Sequence, residues 1–473
     1  MILPVLLWAI LLLPVSAALL SYTPITTEGL RRVTVAIALA LLALTLWLAA
    51  GWSPWPTPDD AAGSLLPSVD ALSAHLLPFA AGLWVLAVGV TPRRALDRGG
   101  LRRTALATSL TLVTFTSHAP VLLASLWVAS VAVFLGALSG APFTRARRIA
   151  RIYLGLSTIL VVVGVALPTF GPWGGVAGTA CIVSAVLIRK GIFPLHSWVP
   201  EVFSNGRLGP AILFSAPQCG AYVAARLVVP DAPDWLLTVI GELALVTAVY
   251  GALAAVFQRD ARRAVGYLFI SQSALVMTGL ECVTAEGLTG GLCVWLSSGL
   301  AFAGLARTLL VLESRRGRLS LARWNGGYAQ MPRLAVSFLL MGLACVGFPG
   351  TFGFVGQEIL LAGVVEQFPR VGYTIVAATA ITGIAVARMY FSLFCGSPAP
   401  GRVQLQLRGG ELALFSAVAA ALVIGGVAPR GLVRARAAAA HELLRARERR
   451  IHGESRYDHV GRDALETPSP GPK

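Results

Sequence analysis

Apolar runs of membrane-spanning length recur along this chain from Ile2 to Pro429, and that recurrence constrains the fold more than any other feature. A bilayer core takes about 20 predominantly apolar residues per helix, and without water every backbone N–H and C=O must pair internally. The reading is an all-α polytopic membrane protein whose membrane domain fills nearly the whole sequence. Composition agrees, with 56% hydrophobic and 13% charged residues and a mean hydropathy of +0.75. The first run, Ile2 to Leu20, has no Lys or Arg before it, so it reads as a spanning helix rather than a cleaved signal. A net charge of +16 would point to nucleic acid in a soluble chain. Here the basic residues sit mainly in loops and the tail, where topology and anionic lipid account for them, and no nucleic-acid partner is expected. Six cysteines lie in apolar runs without a CxxC and read as small core residues, which excludes a cysteine-based zinc or iron–sulfur centre.

About fourteen spans are expected, roughly 2–20, 33–51, 71–90, 104–117, 119–139, 152–170, 175–203, 210–229, 236–257, 264–280, 287–312, 333–365, 371–396 and 411–428. The seventh and twelfth are longer than a crossing needs, and each contains helix breakers: Gly191 and Pro194 in one, Gly347-Phe348-Pro349-Gly350 in the other. Spans 4–8 and 9–13 therefore read as two five-helix units, each broken in its fourth member, the odd number inverting the second unit. Such inverted repeats bring freed backbone and charge together where an ion crosses. The expected divisions are 1–103 for three N-terminal helices, 104–229 and 236–396 for the repeats, 411–450 for the last helix and a basic amphipathic segment, and 451–473 for a polar, disordered tail. Loops holding Arg31-Arg32, Arg93 to Arg103, Arg145 to Arg151, Arg259 to Arg263 and Arg315 to Arg323 fall on one side. The opposite loops carry Asp59-Asp60, Asp231, Asp234 and Glu281 without Lys or Arg. The positive-inside rule then puts the N-terminus outside a bacterial inner (plasma) membrane. The arginines from Arg430 to Arg450 fall on the outer side too, against that rule, so either one span is miscounted or 431–450 lies along the surface as a basic amphipathic helix.

Of 38 Lys+Arg residues, only Lys190 and the terminal Lys473 are lysines. Arginine does not release its proton in a protein, whereas a buried lysine can be tuned to do so. Lys190 stands beside the first break, so it is the leading candidate for a proton station in the membrane; the plainer alternative is a loop-end lysine beside Arg189. His196, across Pro194, is a natural proton partner or else a hydrogen-bonded structural histidine. Glu201 closes the segment and is placed to pair with Arg207 or Lys190. Arg307, Glu358 and Arg388 in the second half are candidates for a polar axis, with structural salt bridges as the alternative. Asp70 and Asp260 precede spans and read as helix caps. No nucleotide loop, metal site or nucleophilic triad is present in the sequence, so neither cofactor nor metal is expected.

The segment Lys190-Gly-Ile-Phe-Pro-Leu-His-Ser-Trp-Val-Pro-Glu201, followed by Gly220-Ala-Tyr222 and Arg226, resembles the signature of proton-translocating antiporter-like subunits. These occur in respiratory complex I, membrane-bound hydrogenases and Mrp-type sodium/proton antiporters. Asp70-Ala-Leu-Ser73, Asp260-Ala-Arg-Arg263 with Tyr267 and Ser271-Gln272, Pro349-Gly-Thr-Phe-Gly-Phe354, Arg388-Met-Tyr390 with Gly396, and Gly425-Gly-Val-Ala-Pro429 extend the likeness in order. It implies fourteen core helices in two inverted repeats and matches Lys190 to the lysine of the broken seventh helix. The chain is a divergent example. Val128 follows Trp127 where the family's glutamate partner stands, Gln218 replaces an eighth-helix lysine, and Trp295, Gly299 and Ala303 replace two histidines and a lysine. Three functions follow as expectations. One is a proton-conducting subunit of a larger complex, rerouted around Lys190, His196 and Glu358. Another is the membrane subunit of a gradient-driven inorganic-carbon uptake complex with a soluble zinc-containing partner. The third is a non-conducting structural subunit. In each, partner subunits and lipid surround the chain, and chemistry coupled to ion movement belongs to a partner.

Overall fold

The computed structural model describes the chain except residues 1, 52–64, 93–96, 140–142, 171, 371, 398–404 and 464–473; for 2–4, 170, 172–174 and 451–463 it describes the backbone alone. The first half contains α1 (Ile2–Leu20), α2 (Thr27–Ala50), α3 (Ala71–Gly89), α4 (Arg98–Phe115), α5 (Pro120–Ala137), α6 (Thr144–Ala166), α7 (Pro172–Lys190), α8 (Trp198–Asn205), α9 (Leu208–Ser215) and α10 (Cys219–Val223). The second contains α11 (Asp234–Phe257), α12 (Ala261–Leu280), α13 (Ala285–Arg316), α14 (Pro332–Val346), α15 (Phe352–Gln367), α16 (Thr374–Phe394), α17 (Gly409–Val427) and α18 (Arg430–Asp463). No strand occurs among the described residues, so the all-helical class is as expected. Nine helical segments among the described residues are long and apolar enough to cross a membrane.

Burial sorts these helices into layers. Apolar side chains surround α3 and α13, which are buried on nearly every side, whereas α2, α6 and α17 turn most of their residues outward. A helix that is apolar all round belongs at the centre of a bundle. Without a hydrophobic driving force between helices in lipid, small residues let the backbones meet. A Cβ on Gly279 would stand 2.4 Å from the Cα of Gly291, which is why α12 and α13 can touch here.

Both expected breaks are present, and they close identically. At the first, Gly191 adopts φ +71° and its N–H donates to Ile188 O at 3.1 Å, while Ile192 N–H donates to Leu187 O at 3.0 Å. At the second, Gly347 adopts φ +80°, with Gly347 N–H to Ala344 O at 3.3 Å and Phe348 N–H to Leu343 O at 3.0 Å. This is the paired helix-ending closure that a left-handed glycine permits, and it satisfies carbonyls that lipid would leave bare. Gly350 (φ +90°) then turns the chain after Pro349 into α15. A third interruption was not anticipated. The eighth span, read as continuous over 210–229, divides into α9 and α10 at Ala216-Pro217-Gln218, and Gln218 takes a left-handed φ of 54°. Pro217 supplies the reason, since it lacks the N–H that would continue the helix.

The C-terminal segment settles as one helix along the face where α3 and α11 begin. Arg436 is fully buried and donates to the carbonyls of Leu72 (3.1 Å) and Ala71 (2.8 Å). Arg447 is 3% exposed and donates to Val229 O and Ala232 O, both at 2.7 Å, and to Asp234. These arginines are taken up by carbonyls at helix ends, so loop-charge counting says little about this segment. The helix runs to Asp463, where a polar, disordered tail was expected from 451. Residues 464–473 of that tail, and the loop charges Asp59, Asp60, Arg93 and Arg94, lie outside the described residues.

Candidate functional site

Lys190 is the last residue of α7 and only 2% exposed. Its ammonium donates to Gln218 Oε1, which the α9–α10 interruption delivers to it. Among the described residues no carboxylate forms an ion pair with it. Three contacts hold the backbone around it: Trp198 Nε1 donates to Ile188 O at 2.7 Å, Ser273 Oγ to Lys190 O at 3.1 Å, and Phe193 N–H to Thr247 Oγ1 at 3.2 Å. Gly220 flanks the lysine stem, where a Cβ would stand 3.3 Å from Cγ. Trp295 Nε1 donates to Pro217 O at 3.0 Å and so satisfies a carbonyl released by the third interruption. The tryptophan that replaces a family histidine thus supports the loop presenting Gln218.

The neighbouring cation is held differently. Arg189 is 6% exposed, stacked over Trp127 (4.4 Å) and Phe214 (4.6 Å), and its Nη2 donates to Ser130 Oγ at 3.0 Å. Val128 is 38% exposed on α5.

His196 lies in the turn between α7 and α8, with its Nε2 2.9 Å from Tyr250 Oη. Phe193, Tyr250 and Tyr267 surround its ring at centroid distances of 5.7, 4.9 and 6.3 Å. Glu201 turns toward the arginine-rich face, where Arg145 Nε approaches it at 3.1 Å and Asn205 Nδ2 donates at 2.8 Å. It pairs with neither Lys190 nor Arg207, because a side chain on α8 points toward the start of α6.

The three polar residues of the second half do not assemble into an axis. Arg307 is buried on α13, with Nη2 3.4 Å from Gly209 O. Arg388 is half-buried and donates from Nη1 to Gln258 O at 3.1 Å, at the end of α11. Glu358 is exposed, since the inward face of α15 carries Gly353, Gly356, Gln357 and Leu360 instead. Gln357 accepts from Thr379 Oγ1 at 3.3 Å in the place the glutamate was expected to fill.

Asp70 and Asp260 both cap helices, as read from sequence, and both do more. Asp70 accepts from Ser73 N–H at 2.9 Å while Ser73 Oγ accepts from Asp70 N–H at 2.8 Å, a capping box on α3. Its second oxygen lies 2.5 Å from Arg226 Nη2 and 3.4 Å from His118 Nε2. Burial opposes the Asp70 charge, but Arg226 and then His118 override it and hold the carboxyl below the usual range. Tyr222 Oη donates to Ser117 O at 3.1 Å beside this cluster, and the Arg226 guanidinium stacks 5.0 Å above its ring. Asp260 accepts from Arg263 N–H at 3.0 Å and pairs with Arg318 at 2.5 Å. Glu281, counted from the sequence only as an outer-loop charge, follows α12, is fully buried and has no hydrogen-bond partner for either oxygen among the described residues.

Residues 153–382 match the family model described as NADH:quinone oxidoreductase/Mrp antiporter, transmembrane. The interval takes in both broken helices, Lys190, the Gln218 loop and Arg307. That stretch belongs to this family. The NADH-quinone oxidoreductase subunit M of Mycobacterium tuberculosis is 26% identical over 252 residues, covering 52% of this chain and 46% of that protein. Subunit N of Rhodococcus opacus is 29% identical over 270 residues, covering 54% and 48%. The chain thus spans about half the length of the curated relatives it matches. A chain of respiratory complex I from Thermus thermophilus superposes with a TM-score of 0.83 at 23% identity, covering 93% of this chain and 99% of that one. A chain of the Mrp complex from Dietzia gives 0.81 at 17% identity, covering 93% and 98%. The antiporter-type fold therefore extends well beyond the matched interval, and the chain is an integral membrane protein.

Proposed function

We propose that this chain is the proton-translocating membrane subunit of a multi-subunit complex and that Lys190 is its central proton station. The observation that carries the reading is a buried lysine at the end of a broken membrane helix, bonded to the neutral amide of Gln218 instead of a carboxylate. A neutral partner accepts from the charged amine without trapping it as a salt bridge would, so the proton stays exchangeable. His196, one turn beyond the break, is the next group able to pass a proton, through Tyr250. Glu201, Glu358 and Arg388, each engaged elsewhere or turned outward, are left out of the path.

Fourteen crossings with two inverted five-helix repeats are part of the same reading, supported by the identical closure at Gly191 and Gly347. So are a bacterial inner-membrane location and an N-terminus outside, with the arginine-rich face inward. The relatives named for complex I and for Mrp support assembly with further subunits. The deciding experiment measures proton flux in proteoliposomes or, if the isolated chain is silent, in native membranes. Lys190→Met and Lys190→Arg are both expected to abolish it with the fold intact, since the first removes the charge and the second removes its exchange. Full activity of Lys190→Arg would sink the relay role.

A further inference from the structure

Between α4, α5, α9 and α13 lies a cavity of about 610 Å³ whose lining does not include Lys190. Five arginines line it, Arg103, Arg189, Arg207, Arg262 and Arg307, against one acid, Asp97. Two of the five are neutralised: Arg103 by Asp97 at 3.3 Å, and Arg262 by Glu313 at 2.6 Å. The other three form no ion pair among the described residues. Arg207 stacks 5.3 Å from the Phe143 ring, and among the described residues Arg307 has one hydrogen bond, the 3.4 Å contact with Gly209 O. Arg189 is tied to Ser130 through Nη2, while its Nη1 is buried without a partner.

Their order follows α9. Arg207 immediately precedes the helix, Arg307 meets Gly209, and Arg189 meets Phe214, five positions further along. At a rise of 1.5 Å per residue, the last two contacts are about 7 to 8 Å apart along the helix. The result is a row of permanent positive charges leading from the arginine-rich face toward the middle of the bundle. Arginine cannot shed its proton, and uncompensated charge in a membrane interior is expensive. The remaining walls are mostly apolar, which weakens screening and strengthens the attraction for a counter-charge.

We propose that this cavity is an anion-binding vestibule, taking a small oxyanion or carboxylate with Arg307 as its principal ligand and Arg207 at its mouth. The shared chemistry is a planar or tetrahedral oxyanion presented to a guanidinium fork, which a lipid headgroup phosphate entering from the bilayer also offers. The same field repels hydronium, so protons reach Lys190 by another route. Arg307, read from sequence as part of a proton path, is reassigned here to anion recognition. Because Lys190 stands outside the lining, this inference survives or fails separately from the proton-station reading.

The test uses the full chain in phosphatidylcholine nanodiscs. Line broadening of ¹³C-formate by the wild-type protein, reversed by nitrate, is expected, with an affinity loss of about tenfold or more in Arg307→Gln. Arg307→Lys keeps the charge and loses the fork, so it should fall between the two and guards against misreading a folding defect. A second arm examines protein purified from cells by native mass spectrometry. An anionic phospholipid retained by wild type and lost from Arg307→Gln, without formate binding, assigns the oxyanion to a headgroup. Formate broadening equal in wild type and both variants, together with no retained anionic lipid, overturns the proposal.

Discussion

Replacing Asp70 by Asn separates its two roles. Asparagine caps a helix about as well as aspartate, so the first turn of α3 keeps its partner for Ser73 N–H. What is lost is the negative charge 2.5 Å from Arg226, where the two side chains are 4% and 13% exposed. Removing one member of such a buried pair costs about 3 to 5 kcal/mol, because the other charge stays buried without compensation. That corresponds to roughly two to three and a half decades in the folding equilibrium. Asp70→Ala should lose about 1 kcal/mol more through the missing cap. The double variant Asp70→Asn/Arg226→Met should recover much of the loss, since it removes the orphaned guanidinium. Reversible unfolding in mixed detergent micelles measures all three. The pH dependence has a definite sign: the Asp70 carboxyl is held below its ordinary range when folded, so its stabilisation is present above that range and declines as pH falls through it. An Asp70→Asn protein within about 0.5 kcal/mol of wild type at neutral pH, well under the buried-pair cost, would refute the reasoning.

Two further outcomes test other parts of the structure. Glu281 is pushed up to about 8 by burial, against the opposing charge of Arg447, so its contribution is greatest below the ordinary carboxylate range and is lost as pH rises through about 8. Glu281→Gln should flatten the loss of stability that runs from the ordinary carboxylate value of 4.5 up to about 8 in a melting series; an unchanged pH profile would show the carboxyl to be solvated. Arg447→Ala removes the bonds to Val229 and Ala232 carbonyls, and hydrogen exchange of the α18 amides should quicken about 10- to 100-fold, from about 1.5 to 3 kcal/mol for charge-assisted bonds. Unaltered protection would mean that α18 is held by Arg436 and apolar packing alone.

Much of the architecture was legible because the bilayer leaves few alternatives. Gly191 and Gly347 announced their breaks, since only a residue free to adopt positive φ ends a helix this way inside apolar sequence. Lys190 was conspicuous through residue usage, and Asp70 and Asp260 through their position before apolar runs. Pro217 carried an equally local signal that the reading of a continuous eighth span missed. The site proved harder. Glu358 and Arg388 lie on helices as expected, yet which way a helix turns depends on the neighbours that bury its other faces. On α15 those neighbours select the glycine-rich side and Gln357.

The sequence alone determined the solvent, the helical class and the places where helices stop, because hydropathy, proline and glycine act over a few residues. It also singled out Lys190. Tertiary structure decided the partners. Gln218 meets Lys190 across 28 positions, Arg436 meets Leu72 across 364, and Glu201 turns to Arg145 instead of the lysine eleven residues before it. Electrostatic and hydrogen-bonded contacts fall off within a few ångströms, so they follow proximity in space, which only the packed bundle sets.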